Sequence, residues 1–536
     1  MSTLVSFFKD QNIIDVLKNA IHGQQRQGTI ARSMTILSLA VAIATYAVHR
    51  MRLYSVKEHG VPLVPYVLPF IGSSPEYRKD PKAFLDKWTA KFGPVFRAHI
   101  FGRVHTIISG LYVREVFLND DFSFEVGMGK TFDGWLITDT KKSELFNTPL
   151  VRSVVMKHLA VDVKNYTPRA VEHLAIAAHE MLDNMAESKE LPHLYPLVQN
   201  MVARAIASIL VGLKLCKDKE LLETFKNVAV DIGSELNPDN YLYEAFPTIS
   251  RLRQWYLGKY GKAINKHQEH MLRVLGPEID ERLAAMERGD DEWERPEDIL
   301  QGVLETAKLT SDHPQRYMMP IKWFLILVFA SIHTTSQNTT VTMYRLLQDP
   351  KVIDELLEEQ NQVFEKHHGS NYDDHDITKL LTGEVIKDLV KLDSVCREAM
   401  RFSSFYAELP HTYIGKSPLT MSNGAIINPG DDVLINGYAN HHDPDIQIDG
   451  GGDYAEFKPF RFVEKGRQST RIGDDYLIFG QGKHACPGRW FAMQEMKTTI
   501  SFLIQQYIIT AKGDITFLKG HRQKIPMGQV IFQRRQ

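Results

Sequence analysis

Apolar residues recur at helical spacing along most of this chain. Apolar positions three and four residues apart indicate helices with one buried face, and the spacing predicts helices at 171–187, 194–213, 249–288, 320–348, 350–367, 385–402 and 489–506. Alternation with period two, which is typical of half-buried strands, is confined to a hairpin at 95–109 and to regions at 410–437 and 507–533. The pattern predicts a mainly α fold with minor β structure (α+β) in one large domain.

The N-terminal part of the chain departs from this pattern. Residues 33–48 carry no charged side chain and span about 24 Å as a helix, slightly less than a bilayer core. More basic residues follow this segment than precede it, which places the following chain in the cytosol. We expect a single transmembrane anchor at 33–50, in the endoplasmic reticulum membrane; the alternative is a buried core helix.

Two further segments flank the expected anchor. The leader at 1–32 has apolar residues at helical spacing, which predicts an interfacial amphipathic helix or, alternatively, a loose terminal helix with no role. The segment at 51–75 is rich in proline, which lacks an amide donor and fixes φ, so it is expected to be a linker. The remaining chain, 76–536, is expected to form one domain.

Composition limits the possible functions. The 536 residues include 63 Lys and Arg against 65 Asp and Glu, a net charge of −2, so nothing favours nucleic-acid binding. Three cysteines are too few for a disulfide framework and indicate a reducing compartment. Cys216 and Cys396 are expected to be small buried hydrophobic residues; Cys486 stands in a different context.

Cys486 lies in the segment 479–488, FGQGKHACPG. Gly482 and Gly488 leave the backbone free to turn its N–H groups toward a thiolate. Pro487 is expected to begin a helix whose N-terminal dipole favours the thiolate. A zinc site is not expected, because no partner pair of Cys or His accompanies this segment.

The pattern F-x-x-G-x-x-x-C-x-G resembles the haem-binding loop of the cytochrome P450 superfamily. The resemblance extends from about residue 60 to the end and implies the cytochrome P450 fold and a haem b cofactor. It also implies that the Cys486 thiolate ligates the iron, with Phe479, Gly482 and Gly488 forming its surroundings. The implied electron donor is NADPH acting through a separate NADPH–cytochrome P450 reductase, with cytochrome b5 as an optional second donor.

A second motif supports the resemblance. Glu398 and Arg401 form E-x-x-R, so both side chains share one helical face. Alone, this spacing is an ordinary surface pair. Arg461 follows in FKPFRF, which resembles the segment whose arginine completes a buried Glu–Arg–Arg triad in the superfamily, and we therefore expect a structural triad.

The helix at 320–348 is apolar throughout 323–332 and is then interrupted by His333 and Thr334. The resemblance implies that Thr334 delivers protons to bound dioxygen; the alternative is that its hydroxyl only bonds to a carbonyl one turn earlier. His333 replaces the usual acidic residue and Ser331 the usual glycine. We expect His333 either to relay protons itself or to point away.

Haem propionates need cationic or donor groups. The superfamily usually offers an arginine where this chain has His484, and another where it has His411. A third arginine, usually in W-x-x-x-R, has no exact counterpart, and Arg152, Lys157 or His158 are the candidates to replace it. The resemblance also suggests a reductase-docking patch of Lys483, Arg489 and Lys497.

The motif combination is similar to a fungal subgroup that includes ent-kaurene oxidases and other terpenoid and steroid hydroxylases. We therefore expect a membrane-bound monooxygenase that hydroxylates a lipophilic terpenoid or steroid; a fatty-acid hydroxylase, a haem-thiolate isomerase or dehydratase needing no O2, and a non-catalytic haem- or sterol-binding protein remain alternatives. The substrate pocket is expected to be apolar and aromatic. Its expected residues are Phe132, Trp135, Leu136, Phe329, Ala330, Tyr406, Leu409 and Met527.

Overall fold

The computed structural model describes residues 59–134, 153–160, 163–182, 187–237, 239–289, 293–372, 376–403, 405–447, 453–518, 520 and 524–535. The predicted leader at 1–32 and the predicted transmembrane anchor at 33–50 lie outside the described residues, as does the start of the linker. The division of the chain into these segments therefore stays a prediction.

Helices dominate the described part of the chain, as the apolar spacing predicts. The longer ones are α1 (Pro81–Phe92), α2 (Val163–Leu182), α3 (Tyr195–Leu215), α4 (Lys219–Leu236), α5 (Pro247–Tyr260), α6 (Lys262–Arg288), α7 (Ile299–Thr306), α8 (Met318–Leu346), α9 (Pro350–His368), α10 (Val390–Phe402) and α11 (Arg489–Gln506). Short helices lie at Ser74–Lys79, Val113–Phe117, Phe124–Gly129, Tyr241–Ala245, Ile377–Leu380, Gly383–Asp388 and Gly437–His442.

Two differences from the predicted helices have local causes. The segment at 249–288 forms two helices, because Gly261 adopts an extended conformation between α5 and α6 and its amide caps the carbonyl of Leu257. Helix α4 was not predicted, although Asp218 accepts a hydrogen bond from the amide of Leu221 in its first turn, as N-cap residues do.

The strands form a minor part of the fold. They are β1 (Val95–Ile100), β2 (Arg103–Ile108), β3 (Phe122–Ser123), β4 (Ser188–Leu191), β5 (Ala407–Tyr413), β6 (Leu419–Thr420), β7 (Ile426–Ile427), β8 (Asp432–Asn436), β9 (Tyr507–Thr516) and β10 (Met527–Arg534). A five-stranded sheet has the order β1-β2-β8-β5-β3, in which only β2 and β8 pair in parallel. The predicted hairpin is β1 and β2, and β4-β10-β9 form a second sheet.

Helix α8 lies at the centre of the helical layer. It packs against α3, α4, α6, α10 and α11, and their apolar faces form the largest core cluster. Helix α11 follows the cysteine loop directly and also packs on α8. The core therefore holds the cysteine loop and the polar interruption of α8 in one region.

Two described helices, α3 and α8, are long and apolar enough to cross a membrane by length and composition alone. Most of the apolar window of α3 and half of that of α8 are buried inside the fold. Helices that are apolar on every side are common in the cores of large proteins, so packing accounts for both compositions.

Candidate functional site

The cysteine loop is held by its own backbone. The amide of Cys486 donates to the carbonyl of Phe479 at 2.7 Å. Gly482 has a φ of +62°, and a Cβ there would lie 2.2 Å from the carbonyl oxygen of Phe117. Only glycine accommodates both the conformation and the close approach, so this glycine positions the loop against its neighbour.

Cys486 lies on the wall of a cavity of about 990 Å³. Its side chain is half-buried, whereas Cys216 and Cys396 are fully buried, as expected. A Cβ on Gly488 would lie 4.0 Å from the Cys486 sulfur, at ordinary van der Waals distance. The residues of the loop and of α11 that line this part of the cavity are Phe479, Cys486, Pro487, Gly488, Phe491, Ala492 and Met496.

Helix α8 forms a second wall. Ala330 and Thr334, one turn apart, both line the cavity and are exposed to it. The Thr334 hydroxyl donates to the carbonyl of Ala330 at 2.7 Å, and Ser331 bonds in the same way to Leu327. The local bond considered for Thr334 is therefore present, and its side chain also faces the cavity.

His333 also lines the cavity. Its Nδ1 is 2.9 Å from the hydroxyl of Tyr195, the first residue of α3. Burial lowers the pKa of His333, which favours the neutral imidazole. Tyr195 was not predicted as a site residue, since no motif marks it.

Four of the expected pocket residues line the cavity: Phe132, Phe329, Ala330 and Leu409. Phe132 stacks on Phe329, with ring centroids 5.1 Å apart and planes at 15°. Trp135 and Leu136 lie outside the described residues.

The predictions for Tyr406 and Met527 are wrong, because neither lines the cavity among the described residues. Tyr406 precedes β5 and packs with Tyr438, ring centroids 5.4 Å apart, beside the apolar cluster under β1. Met527 begins β10, and half of its side chain is exposed at the surface. Ala407, the residue after Tyr406, does line the cavity.

One buried side chain closes the cavity between α5 and the loop that carries Phe132. Gln254 accepts a hydrogen bond from the amide of Asp133 at 2.8 Å and donates to the carbonyl of Thr131 at 3.3 Å. Only 2% of Gln254 is exposed, and it lines the cavity. Sequence reasoning missed this residue, because a glutamine inside a helix carries no motif signal.

His411 and His484 lie together beside the cysteine loop, with ring centroids 5.7 Å apart. His411 is buried, and its Nδ1 is 2.7 Å from the carbonyl of Leu409, while its Nε2 has no hydrogen-bond partner among the described residues. Burial lowers the pKa of His411 to about 4. Arg152 and the side chain of His158 lie outside the described residues, and Lys157 is exposed.

Glu398, Arg401 and Arg461 form a buried ionic cluster. Arg401 binds both carboxylate oxygens of Glu398, at 2.7 and 2.9 Å, and Arg461 Nε donates to Oε1 at 3.0 Å. Neither Glu398 nor Arg401 is exposed. The three residues are therefore in contact, and the expected triad geometry is present.

The ionic cluster reaches the cysteine loop through one histidine. Arg401 donates to the carbonyl of His441 at 2.6 Å, and His441 Nε2 accepts the amide of Leu477 at 2.7 Å. Leu477 stands two residues before Phe479, at the start of the loop. Because burial holds the pKa of His441 well below its ordinary value, the ring stays neutral and can accept this bond.

Of the three basic residues expected in a docking patch, Lys497 is not at the surface. It is 6% exposed and donates to the carbonyl of Ile386 at 2.9 Å. Lys483 is exposed and pairs with Asp120 at 3.0 Å. Arg489 donates to the carbonyl of Cys486 at 2.8 Å.

The residues at this cavity meet the requirements of haem b. A macrocycle of this kind needs one axial donor, a large apolar slot and polar partners for its carboxylates. Cys486 supplies a sulfur at the cavity wall, and Phe479, Phe491 and Met496 supply apolar surface. The buried Nε2 of His411, which has no hydrogen-bond partner among the described residues, is a polar atom near the loop that donates to a carboxylate when the ring is protonated. The residues present fit the group.

Comparison with known proteins agrees. The Cytochrome P450 family model matches residues 62–521. The chain is 24% identical to Cytochrome P450 monooxygenase 71 of Postia placenta, over 89% of this chain and 92% of that one. It is 28% identical to Cytochrome P450 monooxygenase ptmP of Penicillium ochrochloron, over 61% of this chain and 70% of that one.

A solved structure shares the fold. Retinoic acid bound cyanobacterial CYP120A1 superposes with a TM-score of 0.61 at 21% identity, covering 89% of this chain and all of that one. The predicted mainly helical fold, the enzyme class and the haem b cofactor with its cysteine thiolate ligand are thereby confirmed. This chain belongs to the cytochrome P450 family of haem b monooxygenases.

Proposed function

We propose that this chain is a membrane-anchored monooxygenase that inserts one oxygen atom from O2 into a C–H bond of a lipophilic substrate of terpenoid or steroid type. The observation that carries the proposal is a single cavity, with Cys486 on one wall and Ala330 and Thr334 on another. Electrons come from NADPH through a separate reductase, with cytochrome b5 as an optional second donor.

The proposed iron ligand is the Cys486 thiolate. Haem b, when bound there, supplies the iron at which dioxygen is reduced and activated. Phe479 and Phe491 exclude water from the sulfur side, and His411 and His484 are proposed to hold the propionates. The carbonyl of Leu409 only accepts, so His411 Nδ1 carries the ring hydrogen, and Nε2 donates to a propionate when the ring is protonated, a form that the negative charge of the propionate favours.

Thr334 is proposed to donate a proton from its hydroxyl inside the cavity. Its hydroxyl donates to the carbonyl of Ala330, and rotation about χ1 would redirect it into the cavity. His333, adjacent on the same helix, is proposed to supply the proton that Thr334 passes on. Ala330, with its small side chain, leaves room for substrate beside them.

The walls support a bulky apolar substrate. Phe132, Phe329 and Leu409 present aromatic and aliphatic surface, and the volume of about 990 Å³ has room for a rigid isoprenoid skeleton beside the cofactor. Arg103 and Lys130 also line the cavity, and both are paired with Asp432.

An exposed apolar surface near the cavity supports membrane attachment. Leu252 and Trp255 on α5 are 63% and 41% exposed, and Val67 in the linker is 91% exposed. The linker and this region touch, since Phe70 stacks on Phe246 at 5.9 Å. Other residues of α5 line the cavity, so a lipophilic substrate can enter it from an adjacent bilayer. The proposed anchor at 33–50 would hold the catalytic domain at that bilayer, on the cytosolic side of the endoplasmic reticulum membrane.

The function is tested with the full chain in vesicles, reconstituted with reductase and NADPH. A reduced-CO spectrum typical of thiolate-ligated haem is expected for the wild type and for Cys216→Ala, and its loss for Cys486→Ala. Screening by substrate-induced spectral shift should favour terpenoids and steroids over fatty acids. A preference for fatty acids would overturn the substrate class, and turnover without NADPH would indicate an isomerase.

Thr334 is tested separately. Thr334→Ala should release more hydrogen peroxide and less product per NADPH, because the proposed proton donor is gone. Thr342→Ala is the matched control, since Thr342 lies on the same helix and its hydroxyl donates to the carbonyl of Asn338 in the same local way. Unchanged coupling in Thr334→Ala would contradict the assigned role.

A further inference from the structure

A polar side-chain pair connects α3 to the cavity wall. Tyr195 and His333 are separated by 138 positions in the chain, and the Tyr195 oxygen lies 2.9 Å from His333 Nδ1. Their rings meet edge to face, with centroids 6.1 Å apart and planes at 74°. Tyr195 is half-buried at the start of α3, whereas His333 lines the cavity beside Thr334. The pair thus spans from the outer end of α3 to the cavity.

A third residue determines which atom donates in this pair. The Gln199 side-chain nitrogen lies 2.9 Å from the carbonyl of Lys226 and 3.2 Å from the Tyr195 oxygen. A carbonyl only accepts, so the Gln199 atom that faces it is the amide nitrogen. The Tyr195 oxygen therefore receives a hydrogen from Gln199, and its own O–H is directed at His333 Nδ1.

We propose that Tyr195, oriented by Gln199, is a positioning residue that holds His333 in its Nε2–H tautomer and feeds protons through it to the cavity beside Thr334. The inference rests on the proposed monooxygenase function, which consumes protons in the cavity. It extends that function to two residues of α3 and assigns each atom a direction of transfer.

The transfer balances in protons and involves no electrons. His333 gives its Nε2 proton to an acceptor in the cavity, and Nδ1 takes the proton of the Tyr195 hydroxyl. The Tyr195 oxygen recovers a proton from water at the outer end of α3. One proton enters the cavity for each proton taken from water. Both side chains are then neutral again, with His333 in its Nδ1–H tautomer until it returns to the Nε2–H tautomer.

The surroundings favour neutral partners. Burial raises the pKa of Tyr195 to about 12 and lowers that of His333. No charged group contributes to the lowered pKa of His333. The Lys226 ammonium, on neighbouring α4, is paired with Glu223 at 2.5 Å. Tyr195 is the titratable side chain that contacts His333 among the residues described.

The tautomer is tested without turnover. Deuterium exchange at the C2 atom of each imidazole, followed by mass spectrometry over a range of pH, reports the pKa of His333 in the intact protein. We expect a pKa below the ordinary value of about 6.5 in the wild type and a higher pKa in Tyr195→Phe, because the substitution removes a donor to the unprotonated Nδ1. A lower or unchanged pKa in Tyr195→Phe would overturn the tautomer. Tyr112→Phe, a half-buried tyrosine packed beside the five-stranded sheet, is the control.

Proton delivery is tested by coupling. Tyr195→Phe should lower product per NADPH on the order of tenfold, less than the loss of a directly acting acid, and raise peroxide to match, while the substrate dissociation constant stays within about twofold because Tyr195 does not line the cavity. In the wild type, coupling should fall toward acidic pH as His333 becomes protonated, and His333→Gln should abolish that acid limb.

The two proposals fail in distinguishable ways. Normal coupling in Tyr195→Phe with a raised pKa of His333 would overturn the proton route and leave the monooxygenase function intact. Absence of any NADPH-dependent product in the wild type would overturn the proposed function, while the exchange experiment would still decide the tautomer. If Tyr195→Phe does not fold, proton delivery through His333 is decided by two other results: the fall of coupling toward acidic pH in the wild type, and the loss of that fall in His333→Gln.

Discussion

The cysteine loop and the wall formed by α8 line one cavity, but different interactions hold them. The loop depends on a backbone hydrogen bond to Cys486, on the left-handed Gly482, and on a buried ionic cluster that reaches it through His441. The α8 wall presents side chains such as Ala330 and Phe329, which line the cavity and are not fully buried.

This difference teaches where the molecule tolerates change. An atom that ligates a metal must be held to a fraction of an ångström, and backbone bonds with buried charges achieve that. A surface that meets a substrate only needs the right shape and polarity. We therefore expect substitutions beside the loop to cost stability and substitutions on the α8 wall to change binding.

The largest effect should come from the ionic cluster. Glu398→Gln leaves the buried guanidinium of Arg401 without its charge partner, so the free energy of unfolding should fall by about 3–5 kcal/mol. Denaturant unfolding followed by circular dichroism and haem absorbance measures it. Asp86→Asn, which breaks the exposed pair with Lys82, should cost less than about 0.5 kcal/mol. Equal losses of unfolding free energy in Glu398→Gln and Asp86→Asn would show that the buried cluster does not hold the loop more strongly than a surface pair.

A smaller loss is expected for Gly482→Ala. The new Cβ would meet the carbonyl of Phe117 at 2.2 Å, so the loop or its neighbour must move. Gly513→Ala is the matched control, because Gly513 also has positive φ, +82°, but faces open space. Gly482→Ala should be less stable than the control by about 1–3 kcal/mol and should retain less haem. Similar stability losses for both variants would show that the positive φ, and not the contact with Phe117, accounts for the whole loss.

The pH dependence of stability should reveal a buried carboxyl on α11. Burial raises the pKa of Glu495 to about 8 from an ordinary value of 4.5. Between these values the folded chain binds a proton that the unfolded chain has lost, so stability should fall as pH rises, by up to about 1.4 kcal/mol per pH unit. Glu495→Gln should remove this slope. If the free energy of unfolding of the wild type does not fall between pH 5 and 8 relative to that of Glu495→Gln, the raised pKa of Glu495 is contradicted.

The smallest stability change is expected on the α8 wall. Ala330→Leu adds bulk to a side chain that faces the cavity, so the free energy of unfolding should change by less than about 0.5 kcal/mol, while substrate affinity measured by spectral titration should fall at least tenfold. Ala205→Leu, at a fully buried alanine of α3, should instead cost about 1–3 kcal/mol. A large stability loss for Ala330→Leu would show that this wall also carries the fold.

The sequence by itself determined the fold class and the chemistry of the loop. Helical spacing located most of the long helices, because an amphipathic face repeats wherever a helix packs on a core. The F-x-x-G-x-x-x-C-x-G pattern, E-x-x-R and the polar interruption of α8 could be recognised because each meets a requirement of neighbouring residues: backbone freedom, one helical turn, or a hydroxyl within an apolar helix. The structure brings the loop and the polar interruption together at one cavity and connects E-x-x-R to the loop through His441.

Only the tertiary structure decided which distant residues complete the site. Tyr195 reaches His333, Phe132 stacks on Phe329, and Gln254 closes the cavity, and none of these contacts has a local signature. The same reason explains the errors, since Lys497 is buried and Met527 exposed through packing between segments far apart in sequence. Spacing along the chain determines which face of an element a residue occupies, whereas the neighbour that covers that face is set by the global fold.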